Sequence, residues 1–390
     1  MHKILIAIMV MACRSSETPG HASSAARQPS IAAVDLSLQE TYGCLRDAAG
    51  TVKCWGRNAS GEVGDGTSIP NEPSSNVRHE PTLVKGAVAA GALHTSMGLS
   101  WVVHDDATVT AWGTEQHVVG SQVETWSKLV PTRWDLPAVR EVVVGWGFLC
   151  VLARDNIVWC AGNGSAGELA DHPDSDGTAY GHLALAPATA IGHADQIVAV
   201  ENDACARIAD QVTCWGASWG VDHGIIDEPP PPTSSPSQSR TRQPQAPPQA
   251  PPPHPEMGHA HRIDRTPVRL AITNVERLIA GDKQICALDK DGVAWCWSAE
   301  SGTQPTNPTP TKLAVCNGPL SQLALGPELC AEQRDGTVCC VDRYGPIDTS
   351  RLRGADHLGV AGFLVCGLVD HELRCAGRGH ANESSLFASP

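Results

Sequence analysis

The stretch Gly43-Cys44-Leu45-Arg46-Asp47, followed by Lys53-Cys54-Trp55-Gly56, decides the fold, because a related pattern recurs seven times along the 390-residue chain. Each copy has short apolar segments on both sides of an acidic turn, and such segments are typical of β-hairpins. The composition includes 37 Gly and 29 Pro but only 4% aromatic residues. This composition favours short strands joined by turns over long helices. The sequence therefore predicts an all-β repeat protein.

The copies divide the chain into repeat units at about 33–86, 87–140, 141–196, 197–277, 278–322, 323–358 and 359–390. The fourth unit contains a proline-rich run from Pro229 to Pro255, which cannot supply strands to a sheet. We expect a disordered insert there, at about 227–262. Four strands per unit are typical of a propeller blade. The sequence thus predicts a seven-bladed β-propeller with four-stranded blades.

Two segments carry a family resemblance. The loop Asn58-Ala59-Ser60-Gly61-Glu62-Val63-Gly64-Asp65-Gly66 and the hairpin Cys286-Ala287-Leu288-Asp289-Lys290-Asp291-Gly292 resemble the repeat of the RCC1 (regulator of chromosome condensation) family. The resemblance covers the chain from about residue 33 and implies a propeller. Its founding members exchange nucleotide on a small GTPase, whereas an exported bacterial branch includes inhibitors of β-lactamases. We expect this chain to belong with the exported, lipoprotein-type branch.

The cysteines follow the repeat. Six units hold one cysteine on each side of the hairpin turn, and residues that face each other across a hairpin lie within disulfide reach. The predicted pairs are Cys44–Cys54, Cys150–Cys160, Cys205–Cys214, Cys286–Cys296, Cys330–Cys340 and Cys366–Cys375, with Cys316–Cys339 left as a seventh pair. In the second unit both positions are lost together, as Ser96 and Ala111. Zinc binding and buried free thiols are the alternatives, and the latter would apply to a cytosolic protein.

The N-terminus predicts export. Residues 1–12 are the predicted signal peptide, because Lys3 is followed by an apolar run from Ile4 to Ala12 that is too short to span a bilayer. The segment Val10-Met11-Ala12-Cys13 resembles a bacterial lipobox, so Cys13 is the predicted lipidation site and 13–32 a flexible tether. An ordinary secretory signal that is cleaved nearby is the alternative. We expect a lipoprotein of the bacterial envelope that contacts the membrane only through this lipid.

Charge and motifs limit the chemistry. The formal charge is -14, so nucleic acid is not expected as a partner. No metal, cofactor or catalytic residue is predicted. His94 stands alone, and Asp residues at hairpin turns cap their own backbone: Asp105, Asp106, Asp289, Asp291 and Asp335. The weak metal candidates are the oxygen-rich loop from Asp171 to Gly177, for calcium, and His254, His259 and His261, for a transition metal.

The tryptophans divide into two groups. Trp55, Trp112, Trp215 and Trp297 recur at one place in the unit and are predicted to pack between blades. The tryptophans that do not recur are candidate partner contacts: Trp101, Trp126, Trp134, Trp146 and Trp219. We therefore expect a monomeric, non-enzymatic scaffold that binds an unknown protein. The alternatives are an enzyme inhibitor, a nucleotide-exchange factor by resemblance alone, and a propeller hydrolase or lyase.

The lipid anchor can be tested directly. Replacing Cys13 with Ser removes the thiol that a lipid would modify, so we expect Cys13→Ser to move from the membrane fraction to the soluble fraction. Fractionation followed by immunoblotting measures this shift. Membrane association that persists in the variant would contradict an anchor at Cys13.

Overall fold

A computed structural model describes residues 32–68, 77–87, 91–96, 98–119, 122–171, 182–226, 260–264, 266–299, 306–341, 347–362 and 364–377. These residues form strands and turns, apart from one 3₁₀ turn at Ser350–Leu352. They include no helix with the length and hydropathy needed to cross a bilayer. The strands make antiparallel sheets that each follow chain order, and the sheets form the predicted seven-bladed β-propeller.

The first three blades each have four strands. Blade 1 contains β1 (Ala33–Leu38), β2 (Tyr42–Asp47), β3 (Val52–Arg57) and β4 (Val77–Leu83). Blade 2 contains β5 (Gly91–Ser96), β6 (Leu99–His104), β7 (Val109–Val119) and β8 (Gln122–Trp134). Blade 3 contains β9 (Val139–Val144), β10 (Phe148–Ala153), β11 (Val158–Asn163) and β12 (His182–Pro187).

The other four blades vary at their outer edges. Blade 4 contains β13 (Gln196–Val200), β14 (Asp203–Ile208), β15 (Gln211–Gly216) and β18 (Val268–Arg269), and a separate hairpin pairs β16 (Val221–Ile226) with β17 (Ala260–Asp264). Blade 5 contains β19 (Val275–Gly281), β20 (Gln284–Asp289), β21 (Ala294–Ser298) and β22 (Thr311–Lys312). Three described strands form blade 6, namely β23 (Leu320–Leu325), β24 (Leu329–Gln333) and β25 (Val338–Val341), and three form blade 7, namely β26 (Leu358–Ala361), β27 (Leu364–Val369) and β28 (Glu372–Gly377).

Several blades begin earlier than the repeat predicted. The innermost strands start at Val139, Gln196, Val275, Leu320 and Leu358, whereas the predicted units start at 141, 197, 278, 323 and 359. The register of β9, β19 and β23 skips one residue near the strand start, and the skipped residues Arg140, Glu276 and Ser321 are polar. A bulge of this kind interrupts the apolar alternation by which a strand is recognised. The predicted insert also ends too late, because residues 260–262 lie in β17 while 227–259 lie outside the described residues.

The core lies between the blades. Seven clusters of buried apolar side chains each combine residues of two neighbouring blades, including blades 7 and 1, where Ala361 and Leu368 pack with Trp55. The four recurring tryptophans are buried in these clusters, as predicted. The indole N–H of Trp112 donates to the carbonyl oxygen of Glu62 in blade 1, at 2.8 Å. Trp215 makes the same bond to Glu168 of blade 3, at 2.9 Å.

Polar side chains on the innermost strands also link neighbouring blades. Asp35 of β1 accepts a hydrogen bond from the backbone N–H of Leu93 in β5, at 2.9 Å. Glu141 of β9 accepts one from Ile197 in β13, at 2.9 Å. Burial raises the pKa of the Glu141 carboxyl, against the lowering effect of the Ile197 N–H. These bonds fix the alignment of adjacent innermost strands.

The structure joins all seven predicted cysteine pairs. The Cα atoms are 4.0 to 4.1 Å apart in the six hairpin pairs, whose cysteines face each other directly, and 5.9 Å apart in Cys316–Cys339. The predicted alignment of the second unit is wrong, however. Ser96 lies on the innermost strand β5, and the residue that faces Ala111 is Trp101 of β6. A buried Trp–Ala pair therefore stands where the other blades have a disulfide.

The glycine at the end of the Cys-Trp-Gly segment is required by its backbone conformation. Gly56 has φ +100°, and a Cβ there would lie 2.5 Å from the carbonyl oxygen of Thr41. Gly86 also has a positive φ, +76°, but no atom lies within 4 Å of its Cβ position.

We expect Gly86→Ala to lower the free energy of unfolding by about 1–2 kcal/mol, the cost of a left-handed conformation. Gly56→Ala adds an overpacking cost of about 1–3 kcal/mol. Urea unfolding curves compare the two, and equal midpoints would contradict the contact with Thr41.

The buried Glu141 predicts a pH dependence. Its pKa is raised in the folded protein, so the folded state binds more protons and the free energy of unfolding falls as the pH rises from the ordinary carboxyl range through the raised pKa. Glu141→Gln keeps an acceptor for the Ile197 N–H without a charge. We expect this variant to be more stable than the parent at pH 7 and to lose part of that decline, as thermal unfolding from pH 4 to 8 would measure.

A second variant serves as its control. Glu141→Leu leaves the Ile197 N–H without an acceptor, so we expect it to lose about 1–3 kcal/mol at every pH. If Glu141→Gln and Glu141→Leu behaved alike, the acceptor role of residue 141 would be wrong.

Candidate partner-binding face

The connections between strands divide onto two faces of the ring. The innermost strands run in the same direction, because Asp35 bonds Leu93 and, two residues later in both strands, Ser37 bonds Thr95. The connections between second and third strands therefore share one face, which we call the turn face, and each of them has four residues or fewer. The opposite face, the loop face, holds the turns between first and second strands and the longer connections from third to fourth strands. The described residues 58–68, 164–171 and 217–226, which follow the third strands of blades 1, 3 and 4, begin their connections on the loop face.

The turn face is built from aspartate-capped turns. The carboxylates of Asp106, Asp289 and Asp335 accept backbone N–H groups of their own turns, as predicted. A hydrogen bond from the Thr108 hydroxyl lowers the pKa of Asp106. Asp105 and Asp291 do not cap in this way: the Asp105 carbonyl oxygen accepts from an arginine of blade 3, and the Asp291 carboxylate accepts from an asparagine amide. Turn capping therefore accounts for three of the five aspartates.

Trp146 stands on the loop face in the turn between β9 and β10. Its side chain is 60% exposed, the highest value among the exposed large apolar residues described. Its backbone N–H donates to the carbonyl oxygen of Glu201 in the matching turn of blade 4, at 2.6 Å. Gly145 precedes it where a Cβ would meet the ring of Phe148, and Gly147 follows at φ +75°. Two blades thus fix the backbone that presents this indole to solvent.

The other candidate tryptophans differ from the prediction. Trp101 is 4% exposed and packs between blades 2 and 3, and Trp219 is 2% exposed and packs between blades 4 and 5. Neither can reach a partner from these positions, because each fills space between two blades. Trp134 is half-buried against the cluster that holds Trp101. Trp126 lies in β8, and its side chain is outside the described residues.

Two β-ribbons project on the same face. Strands β7 and β8 continue their pairing beyond Gly113, from Thr114 with Ser127 to Val119 with Gln122. In blade 4, β16 and β17 form a second ribbon at the base of the connection that contains residues 227–259. Trp126 pairs with Glu115 within the first ribbon. The two ribbons and Trp146 thus lie on one face of the ring.

The described turns between first and second strands carry more acidic than basic residues. Glu40 and Asp282 are exposed and Glu201 is half-buried, and Lys283 is the basic residue among these turns. Glu201 lies in the turn that contacts the Trp146 backbone, and Glu40 and Asp282 lie in the turns of blades 1 and 5 on the same face. Such a surface suits a partner that presents basic and apolar groups together.

The structure describes His94 fully but only parts of the two weak metal candidates. The ring of His94 stacks on Trp101 with centroids 5.5 Å apart, and burial lowers the pKa of His94. Asp171 is exposed and accepts the hydroxyl of Thr189, while the rest of its loop lies outside the described residues. His254 and His259 lie outside them too, and of His261 only the backbone, in β17, is described. Within the ranges that the structure covers, no three His, Cys, Asp or Glu side chains group as metal ligands would.

Comparison with known proteins gives the fold. No family model and no curated protein matches the chain. Among solved structures, yeast RCC1 (Prp20) bound to Kap60 aligns with a TM-score of 0.56 at 14% identity, over 90% of this chain and 82% of that one. Prp20p from Saccharomyces cerevisiae gives 0.55 at 13%, over 90% and 84%. The fold is that of an RCC1-like propeller. Human WBSCR16 is also similar, with a TM-score of 0.52 at 13% identity over 80% of this chain and 73% of that one.

Proposed function

We propose that this RCC1-like propeller is a non-enzymatic protein-binding scaffold of the bacterial envelope, and that it holds its partner on the loop face. The observation that supports this proposal is Trp146, a 60% exposed indole on a backbone fixed by blades 3 and 4. Tryptophan is enriched among residues that dominate binding energy, because it buries a large area and loses little conformational freedom. A rigid ring that carries an exposed anchor is suited to recognition.

The partner's chemistry is proposed from the charges on the loop face. Glu40, Glu201 and Asp282 outnumber Lys283 in the described turns between first and second strands, so a surface with Lys or Arg next to an apolar patch would complement this face. An arginine or lysine could also stack on the indole. We therefore propose a basic protein surface as the ligand.

The compartment is part of the proposal. Seven disulfides are compatible with an oxidising, exported environment. The signal-like residues 1–12 and the lipobox-like Cys13 add an envelope location, although residues 1–31 lie outside the described residues. Yeast RCC1, which has this fold, has been solved with the protein Kap60 bound. Inhibition of an envelope or secreted enzyme would be one form of such binding.

A capture experiment with two matched variants tests the loop face. The parent protein, Trp146→Ala and Leu83→Ala are immobilised and exposed to an envelope fraction, and the partner's affinity is then measured by calorimetry. Leu83 is the control, because it is 55% exposed but lies on the outer strand β4, away from the loop face. We expect Trp146→Ala to weaken binding by about 30-fold, as removal of a hot-spot side chain does, and Leu83→Ala to leave it unchanged.

If Trp146→Ala and Leu83→Ala bound the partner with equal affinity, the proposal that the loop face holds the partner would be wrong. If no partner is captured and the protein instead turns over members of a glycan panel, the scaffold function is wrong and an enzyme is favoured.

A further inference from the structure

We propose that Cys316–Cys339 is a thiol–disulfide exchange site, which a dithiol reduces while the six hairpin disulfides stay oxidised. This inference is independent of the loop face and of any partner. It rests on the exposure of the sulfurs, the position of the bond in the fold and the groups around it.

Accessibility separates this disulfide from the others. The first cysteine of every hairpin pair is fully buried, at 0% exposure, as shown by Cys44, Cys150, Cys205, Cys286, Cys330 and Cys366. Cys316 and Cys339 are the one pair in which both residues are partly exposed. Exchange requires a thiolate to approach a sulfur, so its rate depends on this access. An attacking thiol can reach Cys316–Cys339 in the folded protein.

The bond also ties the connection between two blades to a strand. Cys316 lies in the connection 313–319 between blades 5 and 6, and Cys339 lies on β25 of blade 6. The connection is bonded at its ends, by the N–H of Leu313 to Ala294 and by the carbonyl of Pro319 to Arg334. No backbone hydrogen bond donated by the described residues 314–318 is present. Leu313, Val315 and Cys316 pack against the cluster between blades 5 and 6. Breaking the disulfide therefore removes a covalent tie from the middle of this connection without breaking a backbone hydrogen bond of the sheets.

Polar groups next to the two sulfurs favour the thiolate or thiol that reduction would produce at each cysteine. The side-chain amide of Gln333 donates to Cys339 Sγ at 3.8 Å, which stabilises a thiolate there. Cys316 Sγ lies 3.7 Å from the carbonyl oxygen of Ala331, an acceptor for a thiol proton. Gly318 gives the Gln333 side chain its space, because a Cβ at this glycine would overlap Gln333. The better leaving group is thus Cys339 and the better target is Cys316.

The exchange is balanced. A thiolate of the dithiol attacks Cys316 Sγ, the S–S bond breaks, and its electron pair stays on Cys339 Sγ, which then takes a proton. The second thiol of the reagent attacks the mixed disulfide and releases Cys316 as a thiol. The dithiol is oxidised to its disulfide, and the protein gains two thiols. Cys340 follows Cys339 in the strand and so points to the opposite face, which leaves Cys330–Cys340 out of the reaction.

Graded reduction tests the proposal in the full-length protein. Samples are treated with increasing dithiothreitol at pH 7.5, trapped with N-ethylmaleimide and mapped by peptide mass spectrometry, while near-UV circular dichroism monitors the fold. We expect Cys316 and Cys339 to be labelled together at a dithiothreitol concentration about tenfold lower than any hairpin pair. Labelling of a hairpin pair first, or of all seven pairs at once, would overturn the proposal.

A glutamine variant tests the mechanism. Gln333→Leu removes the N–H that faces Cys339 Sγ, so we expect reduction of this pair to slow by about threefold or more. Gln39→Leu is the matched control, because Gln39 donates to a backbone carbonyl in blade 2, far from any exposed sulfur. An unchanged rate in Gln333→Leu, or the same slowing in Gln39→Leu, would remove Gln333 from the reaction.

Discussion

Packing between neighbouring blades is the interaction on which this structure depends. A blade is a single sheet and has no apolar interior of its own, so its faces are buried only by the next blade. All seven buried clusters are of this kind, including the one that closes the ring between Leu368 of blade 7 and Trp55 of blade 1. Strand β1 pairs with β2 of its own blade. Within the described residues the ring is thus closed by side-chain packing and by the hydrogen bond from the Ala33 N–H to the His371 carbonyl oxygen, at 2.9 Å, and not by an exchanged strand.

The disulfides contribute to this packing as well as to each hairpin. Cys44 and Cys54 lie in the cluster between blades 1 and 2, and Cys205 and Cys214 lie between blades 4 and 5. Blade 2 fills the same position with the indole of Trp101 against the small side chain of Ala111. The space between blades therefore has to be filled, but a disulfide is not the only group that fills it.

Much of the fold could be predicted because its signals are local. A cysteine on each side of a turn indicates the hairpin, its register and the bond together, as for Cys286 and Cys296. The first residue of each blade is harder to predict, because polar residues such as Arg140 and Glu276 lie at bulges in the innermost strands. The predicted alignment of the second unit is wrong because this unit lacks both cysteines, which identify the second and third strands in the other units.

The candidate site was harder still, because recurrence along a sequence does not report exposure. Trp101 and Trp219 do not recur, yet both are buried. One local signal distinguishes Trp146: it stands between Gly145 and Gly147, as in a tight turn, whereas Trp101 is followed directly by the apolar residues Val102 and Val103. Which face carries the long connections depends on the antiparallel order of every blade, and that is visible only once the strands are paired.

Each of the six hairpin disulfides begins and ends within one blade. A duplicated blade would therefore bring both of its hairpin cysteines with it, and a deleted blade would remove both. Neither event would leave a hairpin cysteine without its partner during folding. This arrangement lets rings of this type change their number of blades by recombination of whole repeats, without any redesign of their oxidative folding.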